Sequence, residues 1–296
     1  MNKLKIKSFG WIHPQLDQVS RINSAFLELG HELIDNGFAD FCYVHDSSKY
    51  IEGIEYKKKY PKTKLLMKVL DIPFHTNPNY KEWKEKLKWA NLILANSVTV
   101  KNQIKEFLGY DSYVIYDAIH DLEYKPEIKK TVDFFVNGRV NDPVKRFNLA
   151  RDLMGLSENK NRLLIISGPD NPNFGKDYIG DYYGIVSDKM LNEIYNSSKF
   201  TLMFGKYEGI GLQIPESLVC GTPVVCLSDN KTSYEFCPRE FICEPNIENI
   251  YNKILEIEKR YYDYQDVAIN YGFTYKKFFD KKTVAKRIID AYLSIV

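Results

Sequence analysis

The chain has 296 residues, 44% of them hydrophobic, enough for one or two domains with a normal core. Lysine and arginine (41) nearly balance aspartate and glutamate (39), and the net charge of +2 gives no reason to expect nucleic acid as a partner. Five cysteines, Cys42, Cys220, Cys226, Cys237 and Cys243, form no C-x-x-C pair and no Cys/His cluster of zinc spacing, so no metal site is expected and a reducing, cytoplasmic compartment is.

Lys3–Phe9 alternates weakly and reads as a first strand, followed by the single Gly10. Val19–Leu29 carries an apolar stripe at helical spacing. Asp40–Val44 and Leu65–Leu70 read as strands, and the stretches 46–64 and 71–80 as loops. Tyr80–Ala90 mixes charge and tryptophan at helical spacing. Leu92–Ala95 is a short buried strand, Thr99–Leu108 a helix stopped by Gly109, and Val114–Tyr116 the last strand of this half. The Ala118–Lys130 stretch lacks periodicity and holds Pro126, which suits a linker. No apolar run approaches the ~18 residues of a membrane helix, and none follows the basic Met1–Lys7 as in a signal peptide. The lysine-rich stretches Lys57–Lys59 and Lys276–Lys282 read as solvated faces. The alternative is peripheral contact with anionic lipid, which would suit a lipid-linked acceptor.

In the second half Val132–Arg139 is an apolar strand ending in Gly138-Arg139. Lys145 and Arg146 follow, then a helix over Phe147–Met154. Arg162–Ser167 is a strand ending at Gly168. A helix leads to the strand Phe200–Phe204. Then comes YEGIGLQIPESLVCGTPVVC, Tyr207–Cys226. It places Glu208 and Glu216 eight residues apart around Gly209-Ile210-Gly211-Leu212 and a proline. A short helix is expected over Glu216–Cys220, then the strand Val224–Leu227. Strand, glycine loop and helix in this order offer free backbone N–H groups to an anion. Glycines and an acid in a first helical turn also serve many such units without any ligand. Lys281–Val296 is an amphipathic helix, and the chain's return to it is expected near Phe273–Lys281.

The EGIGL and PESLVCGTPVV segments resemble the E-x7-E signature of retaining glycosyltransferases of the GT-B fold, the group 1 family of glycogen- and sucrose-synthase-like enzymes. VDFFVNGR followed by Lys145 resembles that family's strand, Gly-Arg and lysine. WANLILANSVTVKNQIKEFLGYDSYVIYDAIHDLE, less tightly, resembles the passage closing its N-terminal domain. Tyr116-Asp117-Ala118 stands where the family has Pro-Asn-Gly, and Leu70 where it often has a histidine.

The resemblance implies an α/β chain of two Rossmann-like domains facing a cleft. A reduced acceptor-side domain would span 1–120 and a nucleotide-sugar domain 121–275, and a C-terminal helix, 276–296, would pack back on the first. It implies transfer of a hexose from a nucleotide-diphosphate sugar to a hydroxyl, with retention and without metal or other cofactor. Arg139 and Lys145 would meet the diphosphate, Arg146 being the alternative to Lys145. Glu208 would hold donor-sugar hydroxyls and Glu216 the ribose. Gly10, Gly138, Gly168, Gly209, Ile210, Gly211 and Leu212 would line the donor, and Asp71 and His75 are candidates on the acceptor side. The acceptor could be a saccharide, a lipid-linked sugar or a protein. Two other readings remain: a nucleotide-sugar epimerase on the same fold, and a non-catalytic sugar-nucleotide-binding module.

Overall fold

The structure is a computed structural model that describes residues 2–10, 18–71, 80–169 and 180–296. It comprises two units, Met1–Ala118 with Phe279–Val296, and Ile119–Phe278.

In the first unit β1 (Lys5–Phe9), α1 (Gln18–Glu28), β2 (Glu32–Leu33), β3 (Phe41–Val44), α2 (Tyr50–Lys59), β4 (Lys64–Val69), α3 (Tyr80–Leu87), β5 (Leu92–Ala95), α4 (Val98–Gln103) and β6 (Tyr113–Val114) follow in order. The strands form one parallel sheet, β2-β1-β3-β4-β5-β6. Runs such as FCYV and LILA are buried on both sides, as strands of a covered parallel sheet must be. Phe41, Tyr43, Leu66 and Leu94 pack on one face with α1 and with Val284, Ala285, Ile288, Ile289 and Tyr292 of the C-terminal helix Lys281–Leu293. Cys42, Val44, Leu65, Met67, Ile93 and Ala95 pack on the other with α2, α3 and α4. The C-terminal helix therefore completes the first unit, as expected, and Lys282 Nζ binds Glu28 on α1 at 3.0 Å.

Residues 46–64 are not the expected loop: they carry α2. Of its buried residues, Tyr50, Gly53, Ile54 and Tyr56, the first three keep helical spacing, but Glu52 and Glu55 stand among them and Lys57–Lys59 follow, which hides the stripe. Of the other expected loop, 71–80, residues 72–79 lie outside the described residues.

In the second unit β7 (Val132–Asn137), α5 (Phe147–Met154), β8 (Leu164–Ser167), β9 (Asp181–Tyr182), α6 (Asp188–Ser197), β10 (Ser198–Met203), α7 (Gln213–Val219), β11 (Val224–Leu227), α8 (Ser233–Phe236), β12 (Ile242–Cys243), α9 (Ile247–Lys259) and α10 (Tyr261–Phe278) follow. The strands again form one parallel sheet, β12-β11-β10-β7-β8-β9. Both units are thus Rossmann-like. Helix α7 begins three residues before the expected Glu216, because Pro215 sits in the first turn, where its missing N–H matters little. The expected return over Phe273–Lys281 is helical as far as Phe278, and Asp280 then caps the C-terminal helix by accepting from Thr283 N–H at 2.9 Å. No helix among the described residues is long and apolar enough to cross a membrane.

One contact positions the later site. Helix α10 lies on α7 backbone to backbone at Gly272, where an added Cβ would stand 2.2 Å from the carbonyl oxygen of Leu218. A backbone atom cannot yield as a side chain can. Gly272→Ala should therefore lower stability by about 1–3 kcal/mol through overpacking. Urea unfolding measures it, and an unchanged midpoint would contradict the close approach.

Candidate active site

The second sheet presents the C-terminal ends of β7, β8, β10 and β11 along one edge, the usual ligand edge of such folds. After β7 the chain turns through Asn137-Gly138-Arg139. Gly138 N–H donates to Ser167 O at 2.9 Å, and Gln213 Nε2 on α7 donates to Asn137 O at 2.5 Å. Gly168, ending β8, meets Gly138 so closely that an added Cβ would lie 1.9 Å from the Gly138 carbonyl oxygen. Two glycine-ended strands are thus pressed together, and the glycines answer to packing before any ligand. Arg139 is exposed and pairs with Asp142 at 3.1 Å.

A short turn, Pro143–Lys145, follows, with Asp142 Oδ1 accepting from Val144 N–H at 3.0 Å. Arg146 leaves it in the left-handed conformation, φ 49°, the one non-glycine residue at positive φ among those described. Its guanidinium makes that conformation worthwhile. Nε donates to Phe204 O at 2.7 Å, and the two terminal nitrogens fork onto Asp229 at 2.7 and 2.8 Å. Arg146 thereby joins the turn to the ends of β10 and β11. Lys145, its neighbour, points the other way and donates to Glu208 Oε1 at 2.6 Å. Of the two cations, Arg146 is committed to the protein and Lys145 to the first carboxylate of the glycine loop.

The loop itself is tied down at its start. Lys206 N–H donates to Val144 O at 3.0 Å. At Gly205 an added Cβ would lie 2.1 Å from Glu208 Oε1, so the residue's lack of a side chain makes room for the carboxylate. Gly209 and Leu212 are half-buried and Ile210 is buried, and Gly211, φ 64°, turns the chain into α7.

Glu216, in the first turn of α7, is 2% exposed. Its Oε2 accepts from the Tyr195 hydroxyl at 3.1 Å and its Oε1 from His120 N–H at 3.4 Å. Ser217 Oγ beside it donates to Thr222 O and shares a hydroxyl–hydroxyl bond with Thr201 Oγ1 on β10, both at 2.8 Å, which fixes α7 on the sheet.

The second unit thus gathers Gly138, Arg139, Lys145, Gly168, Glu208, Gly209, Ile210, Gly211, Leu212 and Glu216 around one set of strand ends. Of the remaining candidates, Gly10 ends β1 in the first unit, packed against Val19 and the Cβ of His45. Asp71 is exposed in the same unit, and His75 lies outside the described residues. Sequence reading missed Asp229, Tyr195, His120 and Gln213. An acid just past the strand Val224–Leu227 was the available signal for Asp229. Tyr195 was hidden among the apolar positions of a helix.

The first unit holds a buried polar group of its own at its strand ends. Lys68 Nζ binds Asp117 Oδ1 at 2.6 Å, Asn96 Nδ2 reaches Oδ2 at 3.4 Å, and His45 Nε2 lies 3.8 Å from Oδ1. Burial alone would raise the Asp117 carboxyl. The Lys68 ammonium, with His45 and the hydrogen bonds, outweighs it and holds the group below its ordinary range.

The family description "Glycosyl transferases group 1" matches residues 124–274, and the chain belongs to that family. Solved structures show the same fold. HepE of Anabaena, solved with UDP and glucose, superposes with a TM-score of 0.78 at 16% identity, over 98% of this chain and 100% of that one. A glycosyltransferase of Rickettsia africae gives 0.74 at 14% identity, over 100% and 99%. Sucrose-phosphate synthase of Thermosynechococcus elongatus gives 0.71 at 14%, over 94% and 77%. A search of curated proteins gives no match. The chain is therefore a glycosyltransferase built on two Rossmann-like domains of the GT-B fold.

The Arg146 fork carries a measurable consequence. Arg146→Lys keeps the charge and the left-handed backbone but loses the planar fork. Stability should fall by about 1.5–3 kcal/mol, the range for hydrogen bonds to charged groups. Chemical denaturation of the two proteins checks it, and equal stabilities would contradict the fork's role.

Proposed function

We propose that the protein moves a hexose from a nucleotide-diphosphate sugar to a hydroxyl acceptor, with retention of anomeric configuration and without a metal ion. The observation that carries this reading is the pairing of Lys145 with Glu208 at 2.6 Å, at the strand ends that also hold Arg139 and the buried Glu216. One place in the fold then offers both a cation for a diphosphate and a carboxylate for sugar hydroxyls. HepE, which shares the fold, was solved with UDP-glucose.

In such a transfer the bond from the anomeric carbon to the diphosphate breaks, and negative charge grows on the leaving oxygens. Lys145 supplies a point charge there and Arg139 a planar fork. Glu208 orients donor-sugar hydroxyls while its other contact, Lys145, holds it in place. A carboxylate already bound to an ammonium is a poor nucleophile, so Glu208 acts as a binder. The departing phosphate takes the acceptor's proton on the face it leaves, which gives retention. Glu216 accepts the ribose hydroxyls of the nucleotide.

Activity should first be sought by screening nucleotide sugars in a thermal-shift assay, since a bound donor raises apparent stability by mass action. With the donor found, Lys145→Ala should lower turnover at least ~100-fold, as for loss of one transition-state charge donor. Turnover should persist in excess chelator, and the product of donor alone should not be an epimerised nucleotide sugar. A silent Lys145→Ala, or a strict need for magnesium or manganese, would overturn the reading.

A further inference from the structure

Glu216 is the most enclosed charge of the site, and each of its oxygens already carries a protein donor. Tyr195 reaches Oε2 from α6 with its hydroxyl, and its ring stands edge-on to Phe135 at 4.9 Å between centroids. Burial first, and the neighbouring Glu216 next, push this phenol well above its ordinary range, so it remains a donor. His120 reaches Oε1 with its backbone N–H. Its ring Nδ1 lies 2.8 Å from Asp188 Oδ1, and Nε2 lies 3.8 Å from Glu216 Oε1. Asp188 is the first residue of α6, so both clamps rest on the same helix.

A carboxylate has about four acceptor directions, two on each oxygen. Here one direction on each oxygen is taken, from two sides, and rotation about the last side-chain bond is stopped. Among the described residues, what remains is one acceptor direction per oxygen without a protein donor, held at fixed spacing. Two adjacent hydroxyls on one ring face match that pattern, and a single hydroxyl does not.

We infer that Tyr195 and His120 are positioning residues that lock Glu216 as a reader of a vicinal cis-diol, so that the site selects ribonucleoside over 2′-deoxyribonucleoside diphosphates. The inference rests on the proposed donor reading and adds to it the two residues that set its sugar selectivity. They act through the carboxylate, and the property they control is a ratio of two affinities.

Calorimetric titration of UDP, ADP and GDP, each beside its 2′-deoxy form, tests it on wild type, Tyr195→Phe and His120→Ala. Inorganic pyrophosphate serves as the control for the phosphate contacts. For the nucleotide bound tightest, wild type should favour the ribo form by about 10-fold or more, the worth of one hydrogen bond to a charged acceptor. Tyr195→Phe keeps the ring and removes only the hydroxyl. It should shrink that preference by about 5-fold, through the ribo form alone, as expected for a misaligned hydrogen bond. Deoxy-form and pyrophosphate affinities should stay as in wild type. His120→Ala, which removes the Asp188 anchor without touching the buried ring, should shift the same ratio in the same direction. Equal weakening of ribo and deoxy forms in both variants would mean a merely structural role and would overturn the inference. So would a wild type that binds nucleotides without ribo preference, while leaving the donor reading standing. A wild type that binds no nucleoside diphosphate would remove the donor reading and the inference together.

Discussion

The second unit's site hangs on the Arg146 fork. The turn after β7, the end of β10 and the segment after β11 are three separate chain stretches, and nothing in a parallel sheet's hydrogen bonding fixes their tips. Arg146 bonds to Phe204 O and to both oxygens of Asp229, and so fixes all three. The left-handed backbone at Arg146 costs about 1–2 kcal/mol for an L-residue, and the charge-assisted fork offsets it. It also decides what Lys145 can do. With its neighbour turned toward β11, Lys145 faces the glycine loop and meets Glu208. Adjacent cations in sequence thus take different partners, Arg146 the scaffold and Lys145 the carboxylate of the glycine loop.

Much of this was legible in the sequence. The strand Val224–Leu227 and the helix Phe147–Met154 stand in the structure with the limits their apolar patterns imply. Glycines at strand ends pointed to the right edge of the sheet. Their physical reasons were not legible: Gly168 yields to the backbone of Gly138, and Gly205, outside any motif, yields to the Glu208 carboxylate. The choice between Lys145 and Arg146 was likewise undecidable from spacing, because it depends on a positive φ and on Asp229, 83 residues away from Arg146. Helix α10 escaped notice because it fully buries only Ala268 and Gly272, which leaves no apolar stripe to read.

The departure at Asp117 has a physical account in the first unit. Where the family resemblance leads one to expect Pro-Asn-Gly, this chain has Tyr116-Asp117-Ala118, and the carboxylate faces the buried ammonium of Lys68. An amide there would leave Lys68 uncompensated, and breaking a buried pair costs about 3–5 kcal/mol. The acid therefore belongs with the lysine on β4. Ala118 beside it is held by Gln18, whose side-chain amide both donates to its carbonyl at 2.6 Å and accepts from its N–H at 3.1 Å. The acid in the motif is thus explained by a partner that the motif itself does not contain, whereas Gln18 holds only the backbone of Ala118.

In the proposed function two carboxylates eight residues apart divide the donor between them, with Glu216 on the nucleoside side. Its most direct test is the affinity of Glu216→Ala for a free nucleoside diphosphate, measured by calorimetry beside inorganic pyrophosphate. The expected result is a loss of about 1.5–3 kcal/mol for the nucleotide, the worth of a charge-assisted hydrogen bond, with pyrophosphate binding unchanged. Nucleotide affinity equal to wild type would contradict the claim.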